Sequence, residues 1–122
     1  MHGLTGERVL MRIHIGERDH FEGMPLYEAI VQLLRKRGYA GATVTRGIMG
    51  FGATATLHTD KVLRLSVDLP IVVECVESEE KIEAILPELD RMIGGGLVTL
   101  EKVRVIAYRG EKWGGGGGGG GG

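Results

Sequence analysis

From Val9 to Ile15 the apolar residues Val9, Met11, Ile13 and Ile15 alternate with positions that include Arg12 and His14. Successive side chains of a strand point to opposite faces, so this period of two predicts a first strand packed on one side. The period then lengthens. Leu26, Ala29, Ile30, Leu33 and Leu34 recur at helical spacing between Pro25, which suits a first helical turn, and Gly38, which suits the position just past the end. An amphipathic helix is expected over Pro25 to Arg37.

Ala42 to Ile48 reads as a second strand and Leu69 to Val76 as a third, with Pro70 near its start, where a missing ladder donor is tolerated. The connection between them, residues 49–68, is too long for a hairpin turn, and such loops in compact domains are usually functional or mobile. Within it, Thr54 to Leu65 is expected to prolong the two strands as a protruding ribbon. Ser78 followed by Glu79 and Glu80 has the form of a helix cap with acids in the first turn, and Ile82, Ile85, Leu86, Leu89 and Ile93 form the apolar stripe of a second helix. Pro87 inside that stripe removes one backbone donor and is expected to bend it. Gly94-Gly95-Gly96 ends the helix, and Leu97 to Tyr108 reads as a final strand, with Val103, Val105 and Ala107 alternating against Arg104 and Tyr108.

The order strand, helix, strand, strand, helix, strand predicts an α+β fold: a ferredoxin-like βαββαβ sandwich with a four-stranded antiparallel sheet. Right-handed crossovers put both helices on one face. The other face then carries residues such as Thr43, Thr45, Val72 and Val76 with nothing of the same chain over them. An apolar-tinged face of this size normally meets a partner, so a homo-oligomer closing over it is expected.

Composition narrows the picture. Gly114 to Gly122 is an unbroken run with no side chain to bury, expected to be a flexible tail, which leaves residues 1–113 as a single domain. With 43% apolar residues, 25% charged residues and a formal net charge of −1, the chain is of ordinary globular make-up. Basic and acidic residues are interleaved, so no broad positive field exists for a nucleic-acid backbone, and no nucleic acid is expected as partner. The longest apolar runs, such as Leu69 to Val73, are far shorter than a membrane span, so no membrane insertion is expected and a soluble, cytoplasmic protein is. Cys75 is the one cysteine, which excludes an internal disulfide, and its apolar setting predicts a buried thiol.

The candidate chemistry centres on Gly41 to Gly52, where a β-branched strand runs into Gly47, Gly50 and Gly52. Glycine tolerates positive φ and lets a backbone approach a ligand, so these three offer either an anion-accepting concavity or a tight turn. Gly47 to Thr54 lacks the lysine of a phosphate-binding NTPase loop, and Gly50-Phe51-Gly52 is followed by β-branched residues, not by the helix of a dinucleotide fold. Arg46, Arg64 and Arg104 would bring fixed positive charge to the glycine loop if the strand order is as read. Salt bridges to Glu74 or Asp68 are the alternative for each. His14, His20 and His58 lack the tight spacing of metal ligands on one element, and no metal site is assigned to them. No nucleophile and base pairing stands out, and one Trp, three Tyr and two Phe provide poorly for a substrate slot, so the chain is not expected to be an enzyme.

The element order and the run Ala42 to Gly52 resemble the PII signalling superfamily, and specifically its uncharacterised PII-like branch. The closer likeness rests on Pro25 to Ala29, Gly41 to Gly52, His58-Thr59, Leu63 to Ser66, Asp68-Leu69-Pro70 and Gly96 to Val103, across roughly residues 8 to 108. The resemblance implies a homotrimer of ferredoxin-like subunits whose sheets line a central core, with clefts between neighbours and a long loop after the second strand. In PII proteins those clefts take adenine nucleotides. Gly50 and Gly52 match the loop base where the phosphates lie, and Thr43 matches the strand position beside the adenine. The sequence departs from the family where a basic residue is replaced by Ala53, and where Gly94 to Gly96 contains no lysine. The ligand-binding set expected is thus Thr43, Thr45, Arg46, Gly47, Gly50, Phe51, Gly52, His58, Arg64 and Arg104. ATP, ADP or AMP would be a regulatory ligand, not a required cofactor, and a membrane transporter is the target the resemblance suggests. The alternative is a metal-binding trimer like the CutA relatives of the same fold, with histidine ligands.

Overall fold

The computed structural model describes residues 4–52, 58–59 and 68–109. Along the chain lie β1 (Gly6–Gly16), a small hairpin of β2 (His20–Phe21) and β3 (Met24–Pro25), α1 (Leu26–Lys36), β4 (Thr43–Arg46) and β5 (Met49–Gly50). After them come β6 (His58–Thr59), β7 (Pro70–Glu77), α2 (Glu79–Met92) and β8 (Leu97–Val105). The main sheet has the order β4-β7-β1-β8 with every neighbouring pair antiparallel, and β5 pairs with β6 in a separate ladder. This is the expected α+β ferredoxin-like arrangement.

The alternation in β1 does what a period of two requires. Val9, Met11, Ile13 and Ile15 are buried against the helices, while Leu10, Arg12 and His14 lie on the opposite face. In β7 the buried set is Ile71, Val73 and Cys75, joined from α1 by Leu26, Ile30 and Leu34 and from α2 by Ile82, Ile85 and Leu89. Each such side chain contributes roughly 1.5–3 kcal/mol on burial, which makes this single cluster the dominant stabilising term.

Both helices end as their sequences dictate. Gly38 has φ of +80°, and Gly38 N donates to Arg35 O at 3.0 Å while Tyr39 N donates to Leu34 O at 3.0 Å. These two bonds form a Schellman motif that satisfies the last carbonyls of α1. Pro25 stands just before α1 as its cap residue, one place earlier than the sequence suggests. Ser78 caps α2, its hydroxyl accepting from Lys81 N. The helix then runs on through the exposed Pro87.

Three features depart from the sequence reading. The hairpin of β2 and β3 was not expected: Glu22 and Gly23 both have positive φ, the signature of a two-residue type I′ turn. The strands differ at their ends, β1 beginning earlier and β8 stopping at Val105 instead of Tyr108. Most of the Thr54 to Leu65 ribbon lies outside the described residues, although the pairs Met49↔Thr59 and Gly50↔His58 form a ladder across its base.

The face away from the helices carries Thr43 and Thr45 from β4, Val72 and Val76 from β7, Leu10 from β1, and Leu97 and Val103 from β8. None of the described residues covers it. At its centre the Arg12 guanidinium bridges two strands, with Nε to Glu74 Oε2 at 2.7 Å and Nη1 to Glu101 Oε1 at 3.2 Å.

Candidate ligand-binding site

One end of the sheet gathers both glycine segments of the sequence. There β4 leads into Gly47, β7 begins at Pro70, β1 ends at Gly16, and β8 starts just after Gly94-Gly95-Gly96. Gly47 and Gly96 therefore share an end but sit on opposite edges, with β7 and β1 between them. Three strand spacings separate the edges, roughly 14 Å.

The glycines differ in what stands opposite them. Positive φ occurs at Gly6, Gly23, Gly38 and Gly96, and not at Gly47, Gly50 or Gly52. A Cβ at Gly47 would stand 2.8 Å from Pro70 Cγ, and one at Gly50 would stand 3.0 Å from the same atom. At both glycines the chain packs its bare backbone on the Pro70 ring, which a side chain would crowd, and Gly47 N also donates to Pro70 O at 2.7 Å. A Cβ at Gly52 would meet nothing within 4 Å among the described residues. Gly96 has φ of +154°, and a Cβ there would lie 2.6 Å from His14 O, so the glycine turn is pressed onto the end of β1.

The other expected residues scatter. Thr43 and Thr45 lie on the open face of β4, paired with Glu74 and Val72, while Arg46 points to the helix side. Arg46 Nη1 reaches Glu17 Oε2 at 3.4 Å, in place of the Glu74 or Asp68 partners considered from sequence. Phe51 is 69% exposed, beside Ile48 at 72%, forming an apolar shoulder at the foot of the loop. His58 is described only as a backbone partner of Gly50, and Arg64 lies outside the described residues. Arg104 is a correction. It pairs with Glu7 on β8, the opposite edge and opposite end of the sheet from Arg46, roughly 30 Å away by strand geometry. Within one chain it adds no charge to the glycine loop.

Sequence reasoning missed the residues that hold this end together. Asp68 Oδ1 accepts from Arg18 N at 2.8 Å, Asp19 Oδ2 accepts from Gly16 N at 3.0 Å, and Glu17 N donates to Leu69 O at 2.8 Å. A Cβ at Gly16 would stand 2.9 Å from the Asp68 carboxylate, so a side chain there would have to displace that carboxylate. The spacing of Gly16 and Asp19 around a turn was the available signal.

Cys75 is buried as expected, and burial with the nearby Glu77 charge pushes its thiol up to about 12, which leaves it protonated and inert at neutral pH. His14 on the open face of β1 and His20 in the hairpin stand on separate elements, His20 Nδ1 lying 2.7 Å from Arg18 O. Among the described residues no group of three or more His, Cys, Asp or Glu is placed to hold a metal ion, and no helix is long and apolar enough to cross a membrane.

A four-stranded antiparallel sheet with two helices on one face and a long excursion after the second main strand is the architecture of PII-like proteins. Among solved structures the chain is similar to CPII, a nitrogen regulatory PII-like protein from Thiomonas intermedia K12 bound to ADP, AMP and bicarbonate. The TM-score is 0.65 at 16% identity, covering 83% of this chain and 90% of that one. It is also similar to a candidate PII-like signaling protein from Thermus thermophilus, with a TM-score of 0.60 at 20% identity, covering 83% and 91%. By sequence the chain belongs to the DUF190 family (uncharacterized ACR), which it matches over residues 8–105. A UPF0166 protein of Methanocaldococcus jannaschii is 39% identical over 105 residues, covering 85% of this chain and 94% of that relative. A UPF0166 protein of Aquifex aeolicus is 41% identical over 100 residues, covering 82% and 94%.

Proposed function

We propose that this protein is a PII-like regulatory binding protein, a homotrimer that takes an adenine nucleotide or a related anionic metabolite in clefts between subunits. Occupancy would be signalled through residues 49–68 to a target protein. The observation that carries the reading is the position of the two glycine segments, at one end of the sheet but on its opposite edges. A single chain cannot close them around one ligand across roughly 14 Å. A second copy can, by setting its β8 edge beside the β4 edge of the first. The open sheet face, with Leu10, Val72, Val76 and Leu97 uncovered, supplies the apolar surface for that assembly.

The chemistry of the cleft suits an anion. Gly52 carries no side chain to stand between its backbone and a phosphate or carboxylate, and Arg46 is more than half exposed with one long contact to Glu17 that a ligand would displace. Thr43 and Thr45 line the adjoining strand edge with hydroxyls. The ADP, AMP and bicarbonate of CPII, a protein of the same fold, are consistent with this chemistry. A ligand that binds one arrangement of residues 49–68 about 1–3 kcal/mol more tightly than another is enough for a switch. A membrane transporter is the target class that the family likeness suggests.

Isothermal titration of the full chain against ATP, ADP, AMP and cyclic AMP, each with and without magnesium and bicarbonate, tests the reading. Saturable binding near one site per subunit is the expected outcome. Silence across that panel from a protein shown to be trimeric would remove the nucleotide from the proposal.

A further inference from the structure

The helix layer faces away from the sheet cleft and carries a feature that nucleotide binding leaves unused. Between α1 and α2 runs a groove of about 440 Å³. Its floor is apolar and half-buried: Phe21 and Met24 from the hairpin, Leu33 from α1 and Met92 from α2. Two of these four are methionines, whose unbranched side chains adapt to irregular partners. Lys36, Arg37 and Arg91 line the groove from the last turns of both helices.

The charge there is out of balance. Arg37 donates through Nε to Glu88 Oε1 at 3.0 Å and through Nη2 to the other oxygen, and that pairing holds the Glu88 carboxyl below the usual range. Arg91 and Lys36 act on the same carboxylate. Three cations, Lys36, Arg37 and Arg91, thus line the groove against two carboxylates, Glu22 and Glu88, an excess of one positive charge in a chain whose formal net charge is −1. Helix C-termini favour a cation each. They do not account for cations of two helices gathering over a shared apolar floor.

We propose that the groove between α1 and α2 is a docking site for an acidic segment of a partner protein that carries one or two large apolar side chains. The lining residues of α1 run from Ala29 to Lys36, about 10 Å of helix. That length accepts two turns of a helix or a short extended stretch, with its apolar residues on the methionine floor and its acids against Lys36 and Arg91. Concavity separates this partner from an anionic bilayer, which would meet a convex basic face. The proposal stands whether or not a nucleotide binds at the sheet end.

Selection of a random dodecapeptide library on the immobilised full chain tests it, followed by fluorescence anisotropy with the enriched peptides. The selected peptides are expected to carry Asp or Glu around one or two large apolar residues, and to lose about tenfold or more in affinity for a Lys36→Glu, Arg91→Glu double variant. Both positions are exposed, and an unchanged circular dichroism spectrum shows that the variant folds. Peptides with the acids replaced by Lys are expected to regain binding to it. Enriched peptides no more acidic than the input, or affinities unmoved by the charge reversal, would overturn the proposal. Binding confined to phosphatidylserine vesicles would assign the groove to a membrane instead. A change in association state on charge reversal would assign it to a second copy of the chain.

Discussion

At the scale of the residue, glycine identity is decided by what stands opposite. Gly96 presses its backbone on His14 O, where a Cβ would sit 2.6 Å away, while a Cβ at Gly52 would meet nothing within 4 Å among the described residues. Gly96→Ala is expected to cost about 1–3 kcal/mol, read as a shift in urea midpoint. Gly52→Ala is expected to leave that midpoint in place and to weaken nucleotide binding in the titration. Equal stability losses at the two positions would mean that Gly52 is structural. The sequence could not separate these cases, because a glycine needed for positive φ, one needed for close packing and one needed for a ligand are the same letter. Gly47 and Gly50 were read as the first or third kind, and the structure adds a packing reason of the second kind that the sequence hid, since the Pro70 ring they rest on lies some twenty positions away in the chain.

At the scale of the element, the long periodic segments were legible and the short ones were not. β1, α1 and α2 each repeat their pattern over several turns or pleats, so the core face could be read directly. The hairpin strands have two residues each and no period, and only the Glu22-Gly23 turn announced them. Arg104 was misplaced for a related reason: its strand was found, but nearness to the loop depends on the sheet order, which sets β7 and β1 between β4 and β8. One tie between elements was invisible in sequence. The buried Glu77 accepts from Ala40 N at 3.0 Å and Ser78 N at 3.1 Å, with Lys81 Nζ at 3.8 Å, so a single carboxylate joins the approach to β4 with the start of α2. Glu77→Ala leaves two amides without that partner and is expected to lower stability by about 1–3 kcal/mol, measured by chemical denaturation. Ser78→Ala removes the α2 cap next to it and is expected to cost about 1 kcal/mol.

At the scale of the molecule, the proposed trimer would close over the sheet face opposite the helices. Arg12, Glu74 and Glu101 form its polar centre within an apolar and threonine surround. Pairing already within one subunit lets that centre be covered without stranding a lone charge. Leu10→Asp sets a new carboxylate beside Val76 and Glu101 on this face, so it is expected to yield a folded monomer in sedimentation equilibrium while the unaltered chain sediments as a trimer. A mutant that remained trimeric would place the interface elsewhere.

The Pro70 ring has a consequence for how this chain can change over time. Gly47 and Gly50 both lean on it, so a larger residue at either position requires the proline ring to shift. Replacement of Pro70 by a smaller residue would relieve both contacts at once. The three positions are therefore coupled: a side chain at Gly47 or Gly50 is expected to cost less stability in a Pro70→Ala background than in the unaltered chain.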